Sequence, residues 1–237
     1  MQTKEIIDNS YFKKKFWVFV SLIGVTFLSY LMIIALQIDY TLAQFFHTLL
    51  IDFPTIYPYV IWLNSRLGDW SYQIIICMIC FLPKRKNKIR LFVQLMLFIL
   101  ITQLVFNTII FKKLLNIYRQ SPSYSFTPPS ELLNTPNWRH RIFSEHCFPS
   151  NRGSFIFSII LFAHVYLDKY SKWLITIISP PLLLTRLIVG AHWLTDMLAS
   201  ILIVISSFLG MKMIFLYLSK KMKKTPFLNM FHWLYKG

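Results

Sequence analysis

Lys112, Arg119, Ser150, Arg152, Arg186, His192 and Asp196 stand in or beside stretches otherwise apolar enough to lie in a membrane. Charge in such a setting is costly, so these residues call for a chemical reason. His192 and Asp196 are four apart, which puts them on one face of a helix. The carboxylate can then accept from one imidazole nitrogen while the other faces a substrate. Arg186 lies six residues before His192 and would miss that face on a continuous helix, but Gly190 between them breaks the helix and lets both side chains converge. Lys112 and Arg119, seven apart, are spaced at about two helical turns, so their cationic heads can meet over one anion. In the stretch CFPSNRGS, Pro149 can open a helix whose unpaired first amides, with the Ser150 hydroxyl, face an anion, and Arg152 adds a further cation. Each cluster alone also fits a plainer role, as a snorkelling anchor or a helix start. Together, at membrane edges, they supply a possible nucleophile and several fixed cations able to face an incoming phosphate. No cage of carboxylates suited to magnesium is present in the sequence, and neither a metal nor a cofactor is expected.

The elements that must hold these residues follow from composition. Of 237 residues, 56% are hydrophobic, 17% aromatic and only 14% charged, which describes an integral membrane protein. Apolar runs at 16–37, 91–111, 150–167, 173–189 and 195–218 are near the ~20 residues needed to cross the hydrocarbon core. A sixth, 60–82, is interrupted by Asn64, Ser65, Arg66 and Asp69, and 40–58, with Pro54 and Pro58, reads as interfacial. The expected fold is therefore all-α and polytopic, with about six transmembrane helices in a single domain over 1–237 and a catalytic core at about 112–196. The first run follows Lys13, Lys14 and Lys15, exceeds a signal-peptide core and lacks a small-residue cleavage site, so it is expected to remain as an anchor.

The net charge of +16 is gathered mainly in short runs, KKK at 13–15, KRKNKIR at 84–90, Lys169 with Lys172, and KKMKK at 220–224. Six spans put these on one side, with both termini cytoplasmic, and put the loop 112–149 and the turn near 190 on the other. That distribution argues against a nucleic-acid partner. Cys77, Cys80 and Cys147 are too few for a disulfide framework and read as buried thiols. No inverted repeat supports a transporter.

The order and spacing of the three clusters resemble the type 2 phosphatidic acid phosphatase superfamily. The resemblance is carried by Lys112 to Arg119 (Lys, six residues, Arg), by PSNR at 149–152, and by TRLIVGAHWLTD at 185–196. It implies a six-helix membrane enzyme in which His192 is the nucleophile that forms a phosphohistidine, with Asp196 orienting it. Lys112, Arg119, Ser150, Arg186 and the amides near Asn151 and Gly153 would hold the phosphate oxygens. Within the superfamily, RQSPSYSF, SELLNTP, CFPSNRG and RLIVGAHWLTD are most similar to the bacterial lipid A phosphotransferases. That similarity implies an enzyme of the bacterial inner membrane with a periplasmic active site. Its donor would be undecaprenyl diphosphate, and its acceptor lipid A or water.

Three departures from the superfamily pattern bear on chemistry: Gln120 replaces a proline, Thr185 a serine, and Arg152 the histidine that protonates the leaving group. Arginine cannot be that acid, because its pKa lies above about 12. Three alternatives follow. The chain is a weakened relative that binds lipid phosphates without turnover; His146 or Glu145 supplies the proton; or the leaving group needs none, as with a lipid diphosphate whose departing phosphate a guanidinium stabilises.

Overall fold

The structure, a computed structural model, describes residues 18, 21–22, 24–25, 27, 37–81, 88–134 and 142–221. Most of the expected anchor at 16–37 lies outside the described residues, as do the basic runs at 13–15 and 84–87 and the tail beyond 221, on which the expected orientation partly rests.

The described chain is all-helical. Helix α1 spans Ile38–Asp52, and a single 3-10 turn, Pro54–Ile56, leads into α2 at Tyr57–Asn64. Next come α3 at Arg66–Phe81 and α4 at Lys88–Ile101, the latter running directly into a π-helical segment at Thr102–Leu114. After the short α5, Ser130–Leu133, follow α6 at Asn151–Tyr166, α7 at Lys169–Ile188 and α8 at Leu194–Lys221. An isolated parallel bridge joins Arg119 to His146.

Among the described residues, two stretches are long and apolar enough to cross a membrane, Leu91–Leu114 and Leu194–Met213. Six were expected. Helix α6, with 16 residues, is only about 24 Å long at 1.5 Å per residue, against a hydrocarbon core of about 30 Å. The expected span at 60–82 is two helices, because the polar interruption is a corner. Ser65 is extended, its hydroxyl donates to the Trp62 carbonyl at 2.6 Å and accepts the Gly68 amide at 3.1 Å, so it ends α2 and caps α3. Large apolar side chains remain exposed on the outside, among them Trp62, Trp70, Ile74, Leu100 and Leu104, which fits a membrane-associated chain.

The core lies where α3, α4, α6, α7 and α8 meet, built on Tyr72, Leu95, Phe98, Ile156, Phe162, Ile175, Leu182 and Val204. A smaller cluster of Leu50, Val60, Ile142, Val189 and Ala191 lies beneath the loops that carry the site. Buried hydroxyls tie the helices at fixed points: Tyr72 to Ser179 and Thr102 to Ser207, each at 2.8 Å. In so apolar a setting an unpaired hydroxyl would be costly, so these pairs favour one arrangement of the helices.

Candidate active site

Helix α7 ends at Ile188 because Gly190 turns left-handed, with φ 69°. Its amide reaches back to the Leu187 carbonyl at 3.0 Å, the Ala191 amide reaches the Arg186 carbonyl at 3.0 Å, and its own carbonyl accepts the Ser123 amide at 2.9 Å. The turn carries Arg186, in the last helical turn, and His192, beyond it, to the same cavity, as the glycine break implies. His192 precedes α8 and is not part of a continuous helix with Asp196 as its four-residue spacing had implied. The cap nevertheless brings the two side chains to face each other. Asp196, in the first turn of α8, accepts the Trp193 amide on Oδ2 at 2.9 Å, and the same oxygen lies 3.5 Å from His192 Nδ1.

His192 is buried, 8% exposed. Burial holds its pKa below the ordinary 6.5, Arg186 and Lys112 push it the same way, and Asp196 opposes them. An imidazole kept neutral at neutral pH has a lone pair to offer as a nucleophile.

Lys112 and Arg119 do not share a helix. The π-helical segment stops at Leu114, Asn116 is left-handed at φ 44°, and Arg119 lies in the extended stretch bridged to His146. Lys112 lines the cavity; Arg119 stands behind it. The Arg119 guanidinium donates through Nη1 to Asp196 Oδ1 at 2.7 Å and to Thr195 Oγ1 at 2.6 Å, and through Nη2 to Asp39 Oδ2 at 2.6 Å. It also sits 5.2 Å from the ring centre of Trp193, whose Nε1–H donates to the Gln120 carbonyl at 2.7 Å.

Pro149 stands outside α6 and Ser150 is its cap. The Ser150 hydroxyl accepts the Gly153 amide at 3.0 Å and the residue is fully buried, so it organises the helix start from behind the cavity. Gly153 is needed for close packing: a Cβ there would lie 3.0 Å from the Met197 sulfur of α8. Asn151 and Arg152 line the cavity, and Gln103 Nε2 holds the Asn151 carbonyl at 3.0 Å. Arg152 is fixed from α2 and α3. Its Nη1 donates to Asn64 Oδ1 at 3.0 Å, its Nη2 to the Leu63 carbonyl at 3.1 Å, and Nη2 also pairs with Asp69. Arg186 donates to the same Asn64 oxygen, so one buried amide ties two guanidiniums together.

The result is a cavity of about 750 Å³ on which Arg66, Lys112, His146, Arg152, Arg186 and His192 converge. Of the two loop residues considered as acids, His146 is on its wall and Glu145 is not among the lining residues. The sequence singled out neither Asp39 nor Asn64 and Asp69 as site residues. The signal for the latter two was the polar interruption of an apolar run, whose partners only the fold supplies. Ligand atoms of Cys147, His192 and Asp196 lie within 4.8 Å of one another. Burial and the neighbouring Asp196 push the Cys147 thiol upward, so it stays protonated, and with Lys112 and Arg119 beside it the surroundings suit an anion better than a cation.

No curated protein and no solved structure matches the chain. The PAP2 superfamily matches residues 92–225, more than half of it, including every residue from Lys112 to Asp196 and leaving Asp39, Asn64, Arg66 and Asp69 outside. Members are phosphatases or phosphotransferases that act on phosphate esters. The clustered cations, the buried imidazole and this match agree, and the chain belongs to the PAP2 superfamily.

Proposed function

We propose that the chain cleaves a membrane lipid diphosphate, undecaprenyl diphosphate in the first instance, without a metal, and passes the phosphoryl group to lipid A or water. The enzyme would sit in the bacterial inner membrane with its site on the periplasmic side and both termini cytoplasmic. The observation that supports this reading most is the convergence of His192 with Lys112, Arg152 and Arg186 on one cavity. His192 Nε2 attacks the terminal phosphorus while Asp196 faces Nδ1. The bond from that phosphorus to the bridging oxygen breaks, and its electron pair leaves with the lipid monophosphate. Lys112, Arg186 and the first amides of α6, at Asn151 and Arg152, neutralise the equatorial oxygens. Arg152, held by Asn64 and Asp69, receives the leaving phosphate as a fixed cation. The acceptor, a phosphate oxygen of lipid A or a water that gives up its proton to solvent, then attacks the phosphohistidine, the N–P bond breaks with its electron pair returning to Nε2, and the neutral imidazole is regenerated.

The test is purified protein in detergent with radiolabelled undecaprenyl diphosphate, with and without lipid A. Label should pass through an acid-labile protein adduct to lipid A or orthophosphate. His192→Ala should abolish both adduct and turnover while the protein still inserts, because the proposed intermediate has no other nucleophile. Unchanged release by His192→Ala would remove the mechanism. Tight binding with no release by the natural chain would favour a lipid-phosphate-binding protein.

A further inference from the structure

Asp39 lies in the first turn of α1, outside the stretch that matches the superfamily, and is 5% exposed. Its Oδ1 accepts the Thr195 amide at 3.0 Å; its Oδ2 accepts Arg119 Nη2 at 2.6 Å and also meets the Thr195 hydroxyl. Arg119 spans from there to Asp196 Oδ1 at 2.7 Å, and Asp196 Oδ2 faces His192 Nδ1 at 3.5 Å. Four residues from α1, the central loop, the cap of α8 and the turn before it thus form one line of alternating charge that ends on the imidazole.

We propose that Asp39 is a positioning residue for phosphoryl transfer: by engaging Arg119 it leaves Asp196 with net negative charge to support the cationic phosphohistidine on His192. The inference rests on the phosphohistidine reading above. Asp39, Arg119 and Asp196 together carry a charge of −1. Remove the Asp39 charge and Arg119 simply neutralises Asp196, so the imidazole loses its counter-charge just as the N–P bond gives the ring a positive one. The same geometry directs both terminal nitrogens of Arg119 to carboxylates behind the cavity.

The groups that set the charge of His192 are Asp196 from α8, Arg186 from α7 and Lys112 from the π-helical segment. Arg152 of α6 and His146 of the loop line the same cavity, and Arg119 is the cation facing Asp39. Asp39→Asn keeps an acceptor for the Thr195 amide and removes only the charge. It should lower kcat on the order of tenfold, the equivalent of one pKa unit, leave KM unchanged, and move the acid limb of kcat/KM to lower pH, because His192 loses a nearby negative charge. Asp39→Glu keeps the negative charge and should retain most of the rate, with the limb at its natural position.

The readout is hydrolysis of para-nitrophenyl phosphate across pH, repeated with undecaprenyl diphosphate, with thermal unfolding as the control for folding. If Asp39→Asn leaves Arg119 too poorly paired to fold, the charge-keeping Asp39→Glu carries the test: a limb displaced in that variant overturns the proposal. So does a rate loss in Asp39→Asn with the limb unmoved, or Asp39→Glu no better than Asp39→Asn. Turnover of para-nitrophenyl phosphate but not of the lipid removes the lipid reading and leaves the charge relay standing. No turnover of either compound removes both.

Discussion

At the scale of single residues, His192 and Arg152 carry most of the proposed chemistry, and each implies a measurement. Burial holds the His192 pKa below 6.5, with the nearby cations adding to the effect. A nucleophile must be neutral, so kcat/KM should hold through neutral pH and fall only as pH drops through that lowered value. Lys112→Met removes one cation that disfavours the imidazolium, so the acid limb should move to higher pH, whatever the loss in rate. The linkage to stability has the same direction. The unfolded chain takes up this proton near pH 6.5 and the folded chain at lower pH, so stability from the neutral imidazole is whole above 6.5 and is lost as pH falls through the folded value. A pH–rate profile with its acid limb above 6.5 would contradict the assigned environment. Arg152 makes a separate claim about substrate. A lipid alkoxide needs a proton to leave and a lipid phosphate does not, so the natural chain should release phosphate from a diphosphate at least tenfold faster than from the matched monophosphate, an effect of about 1.4 kcal/mol in barrier. Arg152→His should narrow that ratio by improving monophosphate hydrolysis. Equal rates on both lipids would direct attention to His146, which lines the same cavity.

At the scale of elements, the breaks between helices matter as much as the helices. The Gly190 turn brings Arg186 and His192 to one cavity, and a Cβ at that position would combine a strained φ of 69° with a 3.1 Å approach to the Ser123 amide nitrogen. Gly190→Ala should therefore destabilise the protein by about 1–2 kcal/mol and lower turnover by more than the loss of folded protein accounts for. Thermal unfolding and kcat on the same preparation separate the two effects; an unchanged melting temperature would show that the turn tolerates the side chain. The corner at Ser65 is similar, since a Cβ on Gly68 would lie 2.6 Å from the Trp62 carbonyl, and that corner aims Asn64 and Asp69 at Arg152. Such breaks also mark what was legible in the sequence. The Gly190 turn, the helix start at Ser150 and the meeting of Lys112, Arg152, Arg186 and His192 follow from residue types and spacing, which act locally. The fate of Arg119 does not. Seven residues after Lys112 suits two helical turns, but the left-handed Asn116 intervenes, and the guanidinium is claimed by Asp39, 80 positions away, which no periodicity could announce.

At the scale of the whole molecule, an apolar exterior and a polar cavity have to be reconciled with a bilayer. Among the described residues two helices meet the length and composition of a span, and exposed tryptophans and aliphatic side chains lie on the outside. The cations that converge on the cavity come from the end of the π-helical segment, the start of α6, the end of α7 and the start of α3. Helix ends gather at one edge of a bundle. On the lipid reading proposed above, an active site there would meet a lipid headgroup while the chain of the lipid stays in the hydrocarbon, so no charge need be carried to mid-bilayer, where each would cost roughly 2.5–3.5 kcal/mol on insertion scales. Arg119 and His146, in the described parts of the loop 112–149, bridge beside the cavity at the same end. On the proposed topology the basic runs at 84–90 and 220–224 are expected at the opposite, cytoplasmic surface, where lysine and arginine meet anionic headgroups. The expected outcome is that, in intact cells whose outer membrane has been made permeable, an impermeant thiol reagent labels a cysteine placed at position 134 and spares one at position 87. Labelling at 87 with protection at 134 would invert the chain. A periplasmic lipid diphosphate could then no longer be the substrate, even if the phosphohistidine chemistry of His192 survived every test on purified protein.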